Sequence, residues 1–140
     1  MKEYNLILVY DEKEEKVLMC KREKNPYKGK YNLVGGKVNV GENKLDAAYR
    51  ELKEETGITK NDINLTYILN FQYPMNDMEL EVYAGKLNKN VSLVEEVNKL
   101  YWIDKTENFF DKEKFAGEGN IAHMIEHANL FKEQIFNKCI

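Results

Sequence analysis

The stretch GKVNVGENKLDAAYRELKEETGI, Gly36–Ile58, is the most informative part of the chain. It reads as a glycine-containing loop followed by one helix, Asn43–Thr56. Asn43 suits the N-cap, with Asp46 three residues on as in a capping box. Gly57 suits the left-handed position just past the last turn, and Ile58 then packs back on the helix. Leu45, Ala48, Tyr49 and Leu52 recur at helical spacing and predict the face turned to the core. Ala47, one turn before Glu51, is predicted on the opposite side, where its small size leaves room for a ligand or a close backbone.

On that opposite side the sequence does something stability alone would avoid. Glu51, Glu54 and Glu55 are spaced i, i+3 and i+4, so they stack on one helix face and repel. Glu54 and Glu55 also fall in the last turn, where the macrodipole disfavours anions. A divalent cation removes the conflict, and hard oxygen ligands select Mg²⁺ or Mn²⁺. Arg50 precedes Glu54 by four residues and is placed to pair with a carboxylate and fix its orientation.

Gly36, Glu42, Arg50, Glu51, Leu52, Glu54, Glu55, Gly57 and Ile58 stand at the spacing G-x5-E-x7-R-E-U-x-E-E-x-G-U, with U a bulky aliphatic residue. The stretch resembles the Nudix box and fills every specified position. A solvated acidic helix face explains three glutamates but not the whole pattern. The resemblance implies an α/β chain: a Nudix-type α/β/α sandwich with a mixed β-sheet between helices. It implies hydrolysis of a nucleoside diphosphate linked to another group, with divalent metal. It places Glu51, Glu54 and Glu55, with Gly36, at the metal, and Arg50 with them in the catalytic set. Glu42 orients the loop or binds metal through water. Glu95 and Glu96 precede the last strand and are candidates for a further carboxylate. The general base differs among such proteins and stays open.

The substrate is read from the flanks. Lys21, Arg22, Lys24, Lys28, Lys30 and Lys37 stand against Glu23 alone in the run leading to the helix. A polyphosphate needs cations for the oxygens that metal does not reach. Arg22, ending a strand, and Lys37, beside the glycine pair, are the preferred phosphate contacts. The run GKYNLVGGKV resembles the segment before the box in MutT-like enzymes, which implies base recognition by Asn32. An Asn amide carries donor and acceptor together and reads a base edge. Tyr101 and Trp102 are candidates to stack on a base, although an alternating strand sends one of them to the core. The leading expectation is a pyrophosphohydrolase acting on (d)NTPs or oxidised (d)NTPs to give NMP and diphosphate. The alternatives are ADP-ribose hydrolysis (Pro74 stands near where that subfamily carries a proline), dinucleoside polyphosphate or RNA 5′-end hydrolysis, and a nucleotide-binding sensor without catalysis.

A chain of 140 residues, 43% hydrophobic and 32% charged, suits one soluble domain over 1–140. No apolar run is long enough for a membrane span, and the N-terminus lacks a signal-peptide pattern, so a cytoplasmic protein is expected. Cys20 and Cys139 offer neither metal spacing nor a disulfide framework. The net charge of −3 gives no footprint for duplex nucleic acid. The expected partner is a small-molecule nucleotide; the oligomeric state stays open. His123 and His127 share a helix face without a third ligand nearby, and read as a surface or partly packed pair. Strands are expected over Tyr4–Tyr10, Lys16–Lys21, Tyr31–Val34, Asn64–Tyr73, Glu79–Leu87 and Lys99–Ile103, a helical turn over Lys105–Phe110, and a second helix over Asn120–Phe136.

Overall fold

The computed structural model describes residues 1–96 and 98–136; Cys139 lies outside the described residues. The elements are β1 (Lys2–Tyr10), β2 (Lys16–Lys21), β3 (Tyr31–Leu33), α1 (Lys44–Thr56), β4 (Thr66–Tyr73), β5 (Met78–Lys86), β6 (Leu100–Asp104), α2 (Asn120–Leu130) and α3 (Lys132–Phe136). A six-stranded sheet runs β3-β2-β1-β5-β4, with β6 also paired to β2. β1 and β5 are parallel, Lys2 opposite Met78 through Tyr10 opposite Lys86. The other strand pairs are antiparallel, so the sheet is mixed, as expected.

Where β1 meets β2 the sheet splays. The two pair only at Tyr10 and Val17. Farther along, β2 turns to β3 and β6, and the exposed edge of β1 is taken by residues 34–38. Ile7 N–H donates to the Val34 carbonyl (2.8 Å), Asn5 N–H to the Gly36 carbonyl (2.8 Å), and Val38 N–H to the Glu3 carbonyl (2.9 Å). Irregular backbone is thereby satisfied in the middle of a sheet, and the glycine pair is stitched to β1.

Both sheet faces are covered, so the central strands are apolar almost throughout. Leu8, Tyr10, Val17, Met19, Val82 and Ala84 pack against Ile121, Met124, Ile125 and Ala128 of α2 and Ile135 and Phe136 of α3. Ile7, Val9, Leu18, Cys20 and Tyr83 face the other way, onto Ala48 and Leu52 of α1 and onto Ile58. This is an α/β/α sandwich.

α1 begins and ends as its sequence predicts. The Asn43 side chain accepts from the N–H groups of Leu45 and Asp46, and Gly57, at φ 81°, returns its N–H to Lys53. Its faces need one correction. Leu45, expected in the core, is 40% exposed, while Ala47, expected to leave room for a ligand or a close backbone, is fully buried, which agrees with the second of these. The helix rests on the line Ala47, Ala48, Leu52 and Thr56. Leu45 borders a cleft over β4 and β5 with Leu65, Tyr67 and Tyr83. The expected Asn120–Phe136 helix is broken at Phe131, whose N–H closes a tighter turn on the Ala128 carbonyl (3.1 Å). The break turns Phe136 against Tyr10, ring centroids 4.8 Å apart. Lys105–Phe110 is not helical; Asp104 accepts from Thr106 N–H (2.9 Å) and hydroxyl (2.7 Å) and ends β6 in a side-chain turn.

Candidate functional site

Three carboxylates of the box, Glu42, Glu51 and Glu54, converge on Arg50. Its Nε donates to Glu42 Oε2 (2.8 Å) and its Nη2 to Glu42 Oε1 (3.0 Å), a two-point grip. Nη1 donates to Glu51 (3.0 Å) and Glu54 (3.2 Å), and Nη2 also to the Lys37 carbonyl (2.9 Å). Glu42 accepts in addition from Asn39 N–H (3.0 Å). Its carboxyl is held below the usual range, first by the Arg50 hydrogen bond and then by Asn39. Loop 37–42 and helix α1 are therefore tied through one guanidinium.

Gly36 is present for space. A Cβ there would collide with the Glu51 carboxylate, which lies against the bare backbone. Asn5 brackets this glycine: Gly36 N–H donates to Asn5 Oδ1 (3.0 Å), and the Gly36 carbonyl accepts Asn5 N–H.

Glu54 is open to solvent, with 58% of its side chain exposed. Glu55 is half-buried. Burial pushes its carboxyl up to about 7, and the Glu51 and Glu54 charges add to the rise; Gly35 N–H and Arg22 pull the other way. A half-buried carboxyl near two others, only partly compensated by Arg50, gives residues that could hold a hard divalent cation, although among the described residues the three do not bring their oxygens within 4.8 Å of one another. The sign follows for the metal-free protein. The folded state holds the Glu55 proton more tightly than the unfolded chain, so this group's contribution is full at and below the ordinary value of 4.5. It is lost as pH rises through about 7. Millimolar Mg²⁺ should raise the melting temperature, and more at neutral than at acid pH, because the metal takes the unprotonated carboxylate. Calorimetry of wild type and Glu55→Gln across that window isolates the group. A wild-type melting temperature indifferent to Mg²⁺ and Mn²⁺ would reduce these glutamates to a solvated face.

A second acidic group was not read from the sequence. Glu3, Glu79 and Glu81 bring carboxylate oxygens within 4.8 Å of one another. The Lys44 ammonium already sits among them, 2.7 Å from Glu81, 3.2 Å from Glu3 and 3.4 Å from Glu79. The nearly buried Glu81 also accepts from the Tyr83 hydroxyl (2.8 Å). This cluster anchors the start of α1 to β1 and β5. Strand alternation places Glu79 and Glu81 on one face, but only the β1–β5 register adds Glu3.

The flanking residues divide. Glu95 accepts from Leu100 N–H (2.7 Å) and fixes the entry to β6, while Glu96 is exposed. Their loop rests on the end of α1, where Val94 N–H donates to the Thr56 carbonyl (2.9 Å). Asn32 lies opposite Cys20, and its Oδ1 accepts from the adjacent Leu33 N–H (2.8 Å). The Lys37 side chain is exposed. Arg22 Nε donates to the Pro26 carbonyl (2.7 Å). With Lys21, Glu23, Lys28, Gly29, Lys99 and Tyr101 it lines a cavity of about 350 Å³. Tyr101 meets Tyr31 edge-on at 5.4 Å, and Trp102 packs on the α1-side core, as alternation requires. His123 and His127 each pair with a different ring, Phe110 and Phe131, at 5.3 and 5.2 Å. Among the described residues, no helix is long and apolar enough to cross a membrane.

A NUDIX domain model matches residues 4–124, and the chain belongs to the Nudix hydrolase family. An ADP-ribose pyrophosphatase from Methanocaldococcus jannaschii is 51% identical over 47 residues, which is 34% of this chain and 28% of that protein. Among solved structures, an Ap4A hydrolase from C. elegans superposes with a TM-score of 0.73 at 17% identity, covering 96% of this chain and 100% of that one. The NUDIX domain of Shewanella oneidensis NrtR, complexed with ADP ribose, gives 0.71 at 13% identity, covering 93% and 87%. At these identities the structural likenesses establish the fold.

Proposed function

We propose that this chain hydrolyses a phosphoanhydride bond in a nucleoside diphosphate derivative, with Mg²⁺ or Mn²⁺ held by Glu51, Glu54 and Glu55. The carrying observation is the Arg50 network, which fixes Glu42, Glu51 and Glu54 beside the half-buried Glu55. A bound divalent ion supplies charge neutralisation at phosphorus and a lowered pKa for water. The chain's own residues do the rest. Arg50 orients the carboxylates, Glu42 and the Lys37 carbonyl hold Arg50, and Gly36 leaves Glu51 its place. Arg22 and Lys37 meet phosphate oxygens, Tyr101 borders the substrate, and the loop bearing Glu95 and Glu96 closes the end of α1.

The leading substrate is a nucleoside triphosphate, with Asn32 toward the base. ADP-ribose is the second reading, supported by the local identity to the archaeal pyrophosphatase. A Mg²⁺-dependent turnover screen over NTPs, oxidised dNTPs, ADP-ribose and dinucleoside polyphosphates tests both. Turnover of none of these would overturn the assignment. Asn32 has a narrower test. If its amide reads a base, Asn32→Ala costs about 1–3 kcal/mol in kcat/KM on the preferred base and much less on others. Since Asn32 already holds Leu33 N–H, an equal fractional loss on purine and pyrimidine triphosphates would assign it to the backbone instead.

A further inference from the structure

We propose that Asn5, on β1 and outside the Gly36–Ile58 stretch, is a positioning residue for the metal: it sets the Gly36 backbone against which Glu51 lies, and its spare amide donor holds the Glu51 carboxylate once that group turns to a cation. The inference rests on the hydrolase reading above and extends it to a residue that neither the box nor its flanks include.

Strand alternation sends Asn5 to the same side of the sheet as Ile7 and Val9, which pack toward Ala48 and Leu52 of α1. It is 1% exposed. A branched apolar residue suits such a position, and a buried amide there costs stability unless its polar atoms are met. Only one of them is. Oδ1 accepts from Gly36 N–H (3.0 Å). Nδ2 has no partner; among the described residues, the only other buried side-chain polar atom in that condition is the Tyr10 hydroxyl. Tyr10 lies on the far side of the sheet, against Phe136. A buried donor left over at this one place on the α1 side calls for a role.

Asn5 meets the glycine pair with backbone as well as side chain. Its N–H donates to the Gly36 carbonyl (2.8 Å), and its own carbonyl is approached so closely by Gly35 that a Cβ there would strike it. From the α1 side, the Glu51 carboxylate occupies the space a Gly36 Cβ would need. Asn5 and Glu51 therefore lie against the same residue, one from β1 and one from α1. Glu51 Oε1 accepts from Arg50 (3.0 Å). Glu51, Glu54 and Glu55 are not gathered here, so a cation must draw Glu51 toward the other two. A carboxylate that ligates a metal is itself steadied by hydrogen bonds. The spare Asn5 N–H, fixed at Gly36 by its own Oδ1, is a donor for that purpose.

The test is a Mg²⁺ titration of metal-free, ¹⁵N-labelled protein followed by NMR. The Asn5 side-chain amide protons and the Gly36 N–H should shift together and saturate on one isotherm, a coupling that an amide serving only the backbone does not produce. Asn5→Leu keeps the volume and removes both polar atoms. Calorimetric titration should show it binding Mn²⁺ about 10–100-fold more weakly than wild type. The Mg²⁺ concentration for half-maximal turnover should rise by the same factor, with turnover recovering at high Mg²⁺. Val9→Ala, on the same face of β1, leaves a cavity and lowers stability without touching Gly36, so its Mn²⁺ affinity should match wild type. Asn5 protons unmoved at Mg²⁺ saturation, or Asn5→Leu binding Mn²⁺ as well as Val9→Ala does, would overturn the proposal. If Asn5→Leu does not fold, the wild-type NMR titration decides alone. Metal binding without turnover of any nucleotide counts against the hydrolase reading and leaves the Asn5 titration to decide; a wild type that binds no metal overturns both.

Discussion

Glu55→Gln and Glu54→Gln are each expected to lower kcat/KM by about 10²-fold or more, because a metal held by these groups supplies several kcal/mol of transition-state stabilisation. Glutamine keeps the shape and removes the charge. The two variants should differ in stability. Glu54 is largely exposed, so its replacement chiefly costs one Arg50 contact. Glu55 is half-buried with a carboxyl pushed up to about 7. Its replacement removes a charge that burial disfavours, and the metal-free variant should melt above wild type near pH 8, roughly one unit past that titration. Mg²⁺ should stabilise wild type and do little for Glu55→Gln. Near-native rates in both variants, with a broad nucleotide panel and Mg²⁺, would sink the assignment of these glutamates.

Replacing Arg50 should damage both fold and function. Arg50→Ala removes the grip on Glu42, the contacts to Glu51 and Glu54, and a donor to the Lys37 carbonyl. It leaves the Glu42 carboxylate, only 19% exposed, without its cation. A loss of stability is expected, because the Glu42 carboxylate loses the donors that now hold it. Metal affinity or activity should fall about 10–100-fold, as for other groups that orient metal ligands. Arg50→Lys should recover little, since one ammonium does not span Glu42 in two places while reaching Glu51, Glu54 and a carbonyl. Denaturant melts and Mn²⁺ titrations of the three proteins check this. Full activity and stability in Arg50→Lys would mean that only a positive charge is needed there.

Much of α1 was legible because it rests on local chemistry. A cap side chain at Asn43, a glycine at the left-handed exit and carboxylates at i, i+3 and i+4 act within a turn or two, and sequence spacing records those distances directly. Arg50's pairing with Glu54 is of that kind. Its grip on Glu42, its bond to the Lys37 carbonyl, and the fit of Glu51 against Gly36 join a loop to a helix, and spacing alone does not order them. The helix faces were read half correctly for the same reason. Periodicity marked Ala48 and Leu52 as buried, but the line on which α1 rests on the sheet left Leu45 exposed and decided between the two readings of Ala47.

The sequence by itself determined the family, the α/β character, most strand positions and the identity of the charged groups that make a metal and phosphate site plausible chemistry. These follow from residue type and from periods of 2 and 3.6. Only the tertiary structure decided that β1 and β2 splay so that Gly36 lies against Glu51, that Lys44 fills the Glu3, Glu79 and Glu81 cluster, that Asn32 spends its carbonyl on Leu33, and that Lys99 joins Lys21, Arg22 and Lys28 around one cavity. Each of those depends on strand register and on which backbone groups remain to be satisfied once the sheet has formed. Those are properties of contacts between distant segments, and no local spacing encodes them.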